Sequence, residues 1–388
     1  MRVEEIDLLD RDAFARGVPH EWFTHLRQQH ALYRHPEPNG PGFWVVSKYG
    51  DVRAVGRDPA TYSSDQDRGG VTPLEEPDTP VPPSPIKVLI AMDPPEHTRH
   101  RKLVSHGFTP RMINALEPRI REMTVCILER AIAKGTCDFV VDVAAELPVE
   151  VIAELIGVPN EDRHKIFEWT NRIVGEEDPE YFVAKDQRDH AMAEMFEYVQ
   201  ELSEQRRREP RDDIMSELLQ AELDGDKLSA LELNAFLDNP SEYEKLVQDP
   251  EGLAASATEE ILRWASPVMY LRRNVVSDTE LRGQLLRAGD KVSIWFVSAN
   301  RDEDVFDDPF RFDIERHPNE HIAFGGGGPH FCLGASLARM ELRVLFEELA
   351  GRVPVLTPLG PPAPLRSNIV AGIKHLPVDL GATPVRTR

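Results

Sequence analysis

The sequence predicts a mainly α-helical fold with a minor β portion, and three observations carry that expectation. Between about residues 95 and 265 apolar side chains recur almost without interruption at the 3.6-residue helical period. A second amphipathic pattern, "LGASLARMELRVLFEE", occupies about 333–349. Short β-like runs gather toward both ends, at about 31–65, 268–300 and 350–388. With no internal repeat in the way, the 388 residues read as a single domain, 1–388, whose β-rich part is contributed by both ends of the chain.

In chain order, "HEWFTHLRQQH" predicts a helix, "GFWVVS" a strand and "YGDVRAVGRD" another helix. Residues 64–90 are rich in proline, glycine and acid and predict a long loop. From "PPEHTRHRKLVSHGF" onward come helical stretches such as "RIREMTVCILERAIAKG", "VEVIAELIGV" and "MAEMFEYVQELSEQRRR". The helix "GLAASATEEILRWAS" precedes β-like segments at "LRRNVV" and "KVSIWFVSANR". Proline-punctuated short strands close the chain.

A formal charge of −22 and an isoelectric point near 5.0 argue against a general nucleic-acid or anionic-membrane binder. The opening "MRVEEIDLLDRDAFARG" has neither the basic flank nor the apolar core of a signal peptide, and no run of about 18 apolar residues occurs. A cytoplasmic protein without a membrane span is expected. Three cysteines are too few for a disulfide framework. Cys126, within a helical pattern, is expected in the core, and Cys137 in a turn leading to an apolar run.

Cys332 is different. It follows "FGGGGPH" and stands just ahead of a helix N-terminus, where free amide N–H groups and the positive dipole end favour a thiolate. Consecutive glycines let backbone approach a ligand closely. Such a thiolate suits either a nucleophile or an axial metal ligand. Zinc is a poor fit, because no second cysteine or histidine pair lies at finger-like spacing.

The stretch Phe324 to Arg339 resembles the haem-binding loop of cytochromes P450, whose cysteine thiolate ligates the haem iron. One glycine more than usual separates the aromatic Phe324 from Cys332, a feature of some bacterial branches. Three further segments match the family in order. "EEILRW" supplies Glu260 and Arg263, one helical turn apart, which the resemblance joins with Arg316 in a buried network. "MDPPEHTRHRKL" supplies His97 and Arg101 at i,i+4, and "LRRNVVSD" supplies Arg273, with Arg272 a close competitor. The resemblance implies that His97, Arg101, Arg273 and His330 hold the propionates of haem b, with Phe324, Cys332 and Gly334 completing the cofactor site. Cys332 is the implied metal ligand.

The same resemblance calls for a long helix across the far face of the haem, carrying a Gly-acid-Thr element whose acid–alcohol pair delivers protons. About 20 residues are needed to cross a domain about 30 Å wide. Only eleven positions run from Leu228 to Asp238 before Pro240, and no acid–alcohol pair stands there, so no catalytic residue is identified. This distal helix therefore reads as truncated. An internal deletion, a gene-model artefact, an engineered chain and a natural variant with altered chemistry all remain open. The family implies hydroxylation of a hydrophobic small molecule (a sterol side chain, methyl-branched lipid or terpenoid) with O2 and electrons from a ferredoxin and ferredoxin reductase. The alternative is a remnant that binds haem or a hydrophobic ligand without turnover. Arg339 and Arg343, on the helix after Cys332, are expected to meet the acidic redox partner.

Overall fold

The computed structural model describes residues 1–75, 87–105, 108–174, 178–181, 185–209 and 231–381. Near the amino end lie α1 (Arg11–Ala15), α2 (His20–Gln29) and α3 (Tyr49–Arg57), interleaved with β1 (Leu32–His35), β2 (Phe43–Val46) and β3 (Tyr62–Ser63). Next comes a helical block of α4 (Glu96–Val104), α5 (Pro110–Lys134), α6 (Glu146–Ile156), α7 (Arg163–Val174) and α8 (Lys185–Arg208). One short strand, β4 (Thr136–Asp138), interrupts it between α5 and α6. The block resumes as α9 (Leu231–Asp238), α10 (Pro240–Gln248) and α11 (Pro250–Ala265).

After α11 the chain returns to strands: β5 (Tyr270–Val275), β6 (Thr279–Leu281), β7 (Gln284–Leu286) and β8 (Lys291–Trp295). Beyond them stand α12 (Phe296–Ala299) and α13 (Ala335–Arg352). The last strands are β9 (Thr357–Pro358), β10 (Ala363–Pro364), β11 (Ile373–His375) and β12 (Pro377–Asp379).

The main sheet runs β1-β2-β8-β5-β3, so strands from residues 32–63 and 270–295 pair across more than 200 positions of sequence. Only β2 and β8 pair in parallel within it. Strand alternation sends neighbouring residues to opposite faces, and on β5 this separates Arg272 from Arg273. Arg272 turns with Asn274, donating from Nε to its Oδ1 at 2.8 Å and from Nη1 to the Pro73 carbonyl at 3.0 Å. Arg273 shares the other face with Leu271 and Val275.

The largest core lies where α5, α11 and α13 meet. Ile120, Ile127, Leu128, Ala257, Ile261, Leu345, Phe346 and Leu349 are all buried there. Thr109 caps α5 through Oγ1 and Pro110 opens it, while Gly135, at φ +74°, ends it. Cys126 corrects the core expectation: it stands on the solvent side of α5, exposed. The buried stripe uses Met123, Thr124, Ile127 and Leu128, which places position 126 on the far flank. Cys137 is buried within β4, a strand inside the predicted helical stretch that pairs with β12. Three residues are too short a run for alternation to register.

The expected crossing helix meets a partial description, since residues 210–230 lie outside the described part. The helix beyond them, α9, is eight residues long and so about 12 Å. Phe236 packs its ring against Tyr243, Phe312 and Phe346 at centroid distances of 5.4, 5.7 and 5.3 Å. Asn239 then leads directly into Pro240 and α10.

A turn at residues 178–181 is latched to the carboxyl-terminal strands. His375 Nδ1 lies 2.6 Å from Asp138 Oδ2, and its Nε2 lies 2.7 Å from Glu180 Oε1. Lys374 bridges Asp178 at 2.9 Å and Glu180 at 2.7 Å. Hydrogen bonds from Glu180 and then Asp138 raise the His375 pKa above its ordinary 6.5. A raised pKa makes the contribution full below about 6.5 and lost as pH rises through the folded value. As pH rises above about 6.5 and through the raised folded value, the turn is therefore expected to become more open to proteolysis. His375→Gln should remove the pH dependence, as limited digestion followed by mass spectrometry will check.

Candidate functional site

The loop before α13 is shaped by tight backbone bonds. Gly325 N–H donates to the Ile322 carbonyl and Cys332 N–H to the Phe324 carbonyl, both at 2.9 Å. Gly325, Gly327 and Gly328 have φ of +92°, +90° and +88°. The protein's own packing supplies a reason for two of these glycines. A Cβ on Gly326 would stand 2.8 Å from Arg53 Cα, and one on Gly328 would stand 2.8 Å from the Gly56 carbonyl oxygen. These two are small because α3 lies against them. The Arg57 side chain covers Gly327 and donates from Nε to the Gly326 carbonyl at 3.0 Å. Nothing in "YGDVRAVGR" announces that contact.

Cys332 is half-buried, and Gly334 takes the N-cap position of α13. A Cβ on Gly334 would lie 3.9 Å from Cys332 Sγ. The thiol thus stands at the amino end of an 18-residue helix, where the dipole favours negative charge.

Beside it, four cationic or cation-forming side chains converge from three elements. α4 supplies His97 and Arg101, β5 supplies Arg273 and the cysteine loop supplies His330. The rings of His97 and His330 are 4.3 Å apart. His97 is 1% exposed with neither ring nitrogen hydrogen-bonded, and His330 Nε2 is buried without a partner. Arg273 is 3% exposed and donates from Nη1 to the Arg272 carbonyl at 2.8 Å. Arg101 Nη2 donates to the Phe331 carbonyl.

Among the described residues no carboxylate forms an ion pair with Arg101 or Arg273. Burial pushes Arg273 down to about 10. Burial, aided by Arg273, His97 and Arg101, pushes His330 down to about 3. Burial and then Arg101 lower His97. Unpartnered buried donors are costly, so this geometry is built for an anion with several acceptor oxygens. A pair of carboxylates next to a thiolate position fits it, and haem propionates are such a pair.

Asp93 was not singled out in the sequence, yet it anchors this corner. Its carboxylate accepts from Ser63 Oγ at 2.5 Å and Ser64 N–H at 2.8 Å, and its carbonyl accepts from His97 N–H at 2.9 Å. A lone acid ahead of two prolines gives no pattern by which to find it.

The Glu260, Arg263 and Arg316 side chains meet. Glu260 Oε2 and Oε1 accept from Arg263 Nε at 2.8 Å and Nη2 at 2.7 Å, and Arg316 Nε approaches the same two oxygens at 3.2 and 3.3 Å. Arg339 and Arg343, expected to meet the redox partner, each pair with carboxylates of the chain itself. Arg339 is paired with Glu259, and Arg343 with Glu117 and Glu347. An arginine's exposure in a helical pattern does not reveal which acid lies across the groove.

Known proteins resemble this chain over nearly all of its length. The family profile described as Cytochrome P450 matches residues 253–364. The chain is 38% identical over 420 residues to a steroid C26-monooxygenase of Rhodococcus jostii, covering 99% of this chain and 87% of that protein. It is 37% identical to a methyl-branched lipid omega-hydroxylase of Mycobacterium tuberculosis, covering 96% and 94%. A solved Mycobacterium marinum cytochrome P450 in complex with pseudoionone superposes with a TM-score of 0.87 at 35% identity, covering 96% of this chain and 98% of that one.

Proposed function

This chain belongs to the cytochrome P450 family of haem-thiolate monooxygenases, and on that premise we propose that it holds haem b on Cys332 and hydroxylates a hydrophobic small molecule. The observation that carries the reading is the anion-seeking cluster of His97, Arg101, Arg273 and His330 beside the thiol. In this reading Arg101, Arg273 and the two histidines grip the propionates, and the helix dipole of α13 keeps Cys332 deprotonated. When bound, the haem supplies transfer of one atom of O2 to a C–H bond, driven by two electrons. The chain's own part is to hold, orient and insulate.

A sterol side chain, methyl-branched lipid or terpenoid is the proposed substrate class, supported by the printed activities of the relatives. No helix of the described residues is long and apolar enough to cross a membrane. A ferredoxin, served by its reductase, is the proposed electron donor. With Arg339 and Arg343 engaged, its docking surface is assigned instead to exposed Lys102, Leu103 and Phe331, which the Arg101–Phe331 contact brings together.

A second reading, binding without turnover, draws on the distal side. The eight residues of α9 end at Asp238, and the alignment to the Rhodococcus relative extends over more positions than the 388 present here. The acid–alcohol pair that the family resemblance calls for is not found in the stretch from Leu228 to Asp238.

One experiment addresses both readings. The protein is reconstituted with haem, reduced and exposed to carbon monoxide, and a thiolate-type Soret band is the expected result. Its absence would remove Cys332 as the ligand. Surrogate ferredoxin, reductase and a steroid or branched fatty acid then test turnover. Hydroxylated product supports the oxygenase, whereas NADPH consumption without product supports the binding protein.

A further inference from the structure

Helix α11 carries two adjacent carboxylates, Glu259 and Glu260, with separate partners. Glu260 belongs to the buried network already described. Glu259 receives a bidentate pair from Arg339 on α13, with Nε to Oε1 at 2.7 Å and Nη2 to Oε2 at 2.9 Å. His321 Nε2 lies 3.0 Å from the same Oε2. The tautomer follows from the other ring nitrogen. His321 Nδ1 accepts from Ala323 N–H at 3.2 Å, so Nε2 carries the proton and donates to Glu259.

The clamp also touches the cysteine loop. The guanidinium carbon of Arg339 stands 4.6 Å from the centroid of the Phe324 ring, over its face. The Phe324 carbonyl in turn accepts the Cys332 N–H at 2.9 Å. Burial alone would push Glu259 up, but hydrogen bonds from His321 and Arg339 outweigh it and hold the carboxyl down to about 2. The Glu259 carboxylate is therefore held in its ionised form, with the Arg339 guanidinium on the Phe324 side of the pair.

We propose that Glu259, His321 and Arg339 are positioning residues that fix a cation against Phe324 and thereby set the reduction potential of haem held on Cys332. The proposal rests on the haem-thiolate reading above. A charge fixed near an iron–thiolate centre stabilises whichever oxidation state carries the opposite extra charge. The Arg339 cation favours the reduced state, and Glu259 partly offsets it while holding it in place. Nothing in this requires any of the three side chains to touch substrate.

The two ends of the clamp predict opposite signs. In haem-loaded protein, Arg339→Gln leaves the Glu259 anion uncompensated and is expected to lower the midpoint potential. Glu259→Gln leaves the Arg339 cation uncompensated and is expected to raise it. Each change should alter the ferrous-to-ferric ratio at fixed potential by about threefold or more. Arg339→Lys keeps the charge and should stay near the parent value, which carries the test should Arg339→Gln retain no haem. Spectroelectrochemical titration measures all three. Shifts of the same sign in both glutamine variants, or no shift in either, would overturn the proposal, since a purely structural clamp loosens the loop identically from both ends. A parent protein lacking the thiolate-type carbon monoxide band would overturn the haem-thiolate reading instead.

Discussion

Arg263→Met is expected to lower the unfolding free energy by about 3–5 kcal/mol, the scale for stranding one member of a buried ion pair. Arg263 and Glu260 are both wholly buried. All five guanidinium N–H groups are used. Besides the two to Glu260, Nη1 donates to the carbonyls of Asn300 and Pro309, each at 2.9 Å, and Nη2 to that of Arg311 at 3.2 Å. Glu260 also accepts from the Asp313 N–H at 2.9 Å and from Asn319 Nδ2 at 3.0 Å.

The pair is thus the hub on which the segment from Asn300 to Asn319 is hung, and that segment delivers the chain to the cysteine loop. Two consequences separate this from an ordinary salt bridge. Arg263→Lys should be almost as damaging as Arg263→Met, because an ammonium offers three donors and no planar fork. The double variant Glu260→Leu/Arg263→Leu should not be rescued, because the Asn300 and Pro309 carbonyls and the donors of Asp313, Arg316 and Asn319 lose these partners. Denaturant unfolding of the apoprotein checks both, and near-parental stability of either variant would contradict the hub. Against a total stability of about 5–15 kcal/mol, the loss is large enough to see as poor expression.

How much of this was legible in the sequence depends on what each residue interacts with. Glu260 and Arg263 sit three apart on one helix, so their meeting is a local matter of helical geometry, and Arg316 needed only a family resemblance to join them. The helical block around α5, α11 and α13 is likewise written in local periodicity. The features that escaped were long-range and pairwise. The glycines before Cys332 were visible as glycines, but the helix α3 that requires them lies more than 260 residues earlier in sequence. Arg339 was visible as a basic residue on a helix, and its partner Glu259 lies 80 positions away. Cys126 was misplaced because the apolar stripe of α5 is broad and the sequence leaves its edge undefined by one residue. Phe236 lies where the family resemblance would have a long helix continue, and only the structure shows its ring packed among Tyr243, Phe312 and Phe346.

Arg273→Met is expected to move two quantities in opposite directions. In the apoprotein Arg273 is a buried cation whose pKa burial pushes down to about 10, with Asp93 giving only partial relief. Depression of a basic group means the folded state disfavours its charged form, so removing that charge relieves a cost of about 1–3 kcal/mol. The apoprotein should therefore melt higher than the parent. Haem binding should weaken at least about tenfold, because a propionate would lose its cation in a largely desolvated site. The stabilisation conferred by haem shrinks accordingly, since it scales with the logarithm of ligand concentration over the dissociation constant. Thermal melts of apoprotein and haem-loaded protein, with a haem titration followed at the Soret band, read all of this. An ordinary core arginine would give destabilisation on both counts. Arg272→Met is the internal control: its guanidinium is bonded to Asn274 and Pro73 on the opposite face of β5, so it should destabilise the apoprotein and leave haem affinity near the parent value. If Arg273→Met instead destabilised the apoprotein and left haem affinity unchanged, the cation cluster would be structural and the propionate assignment would fall.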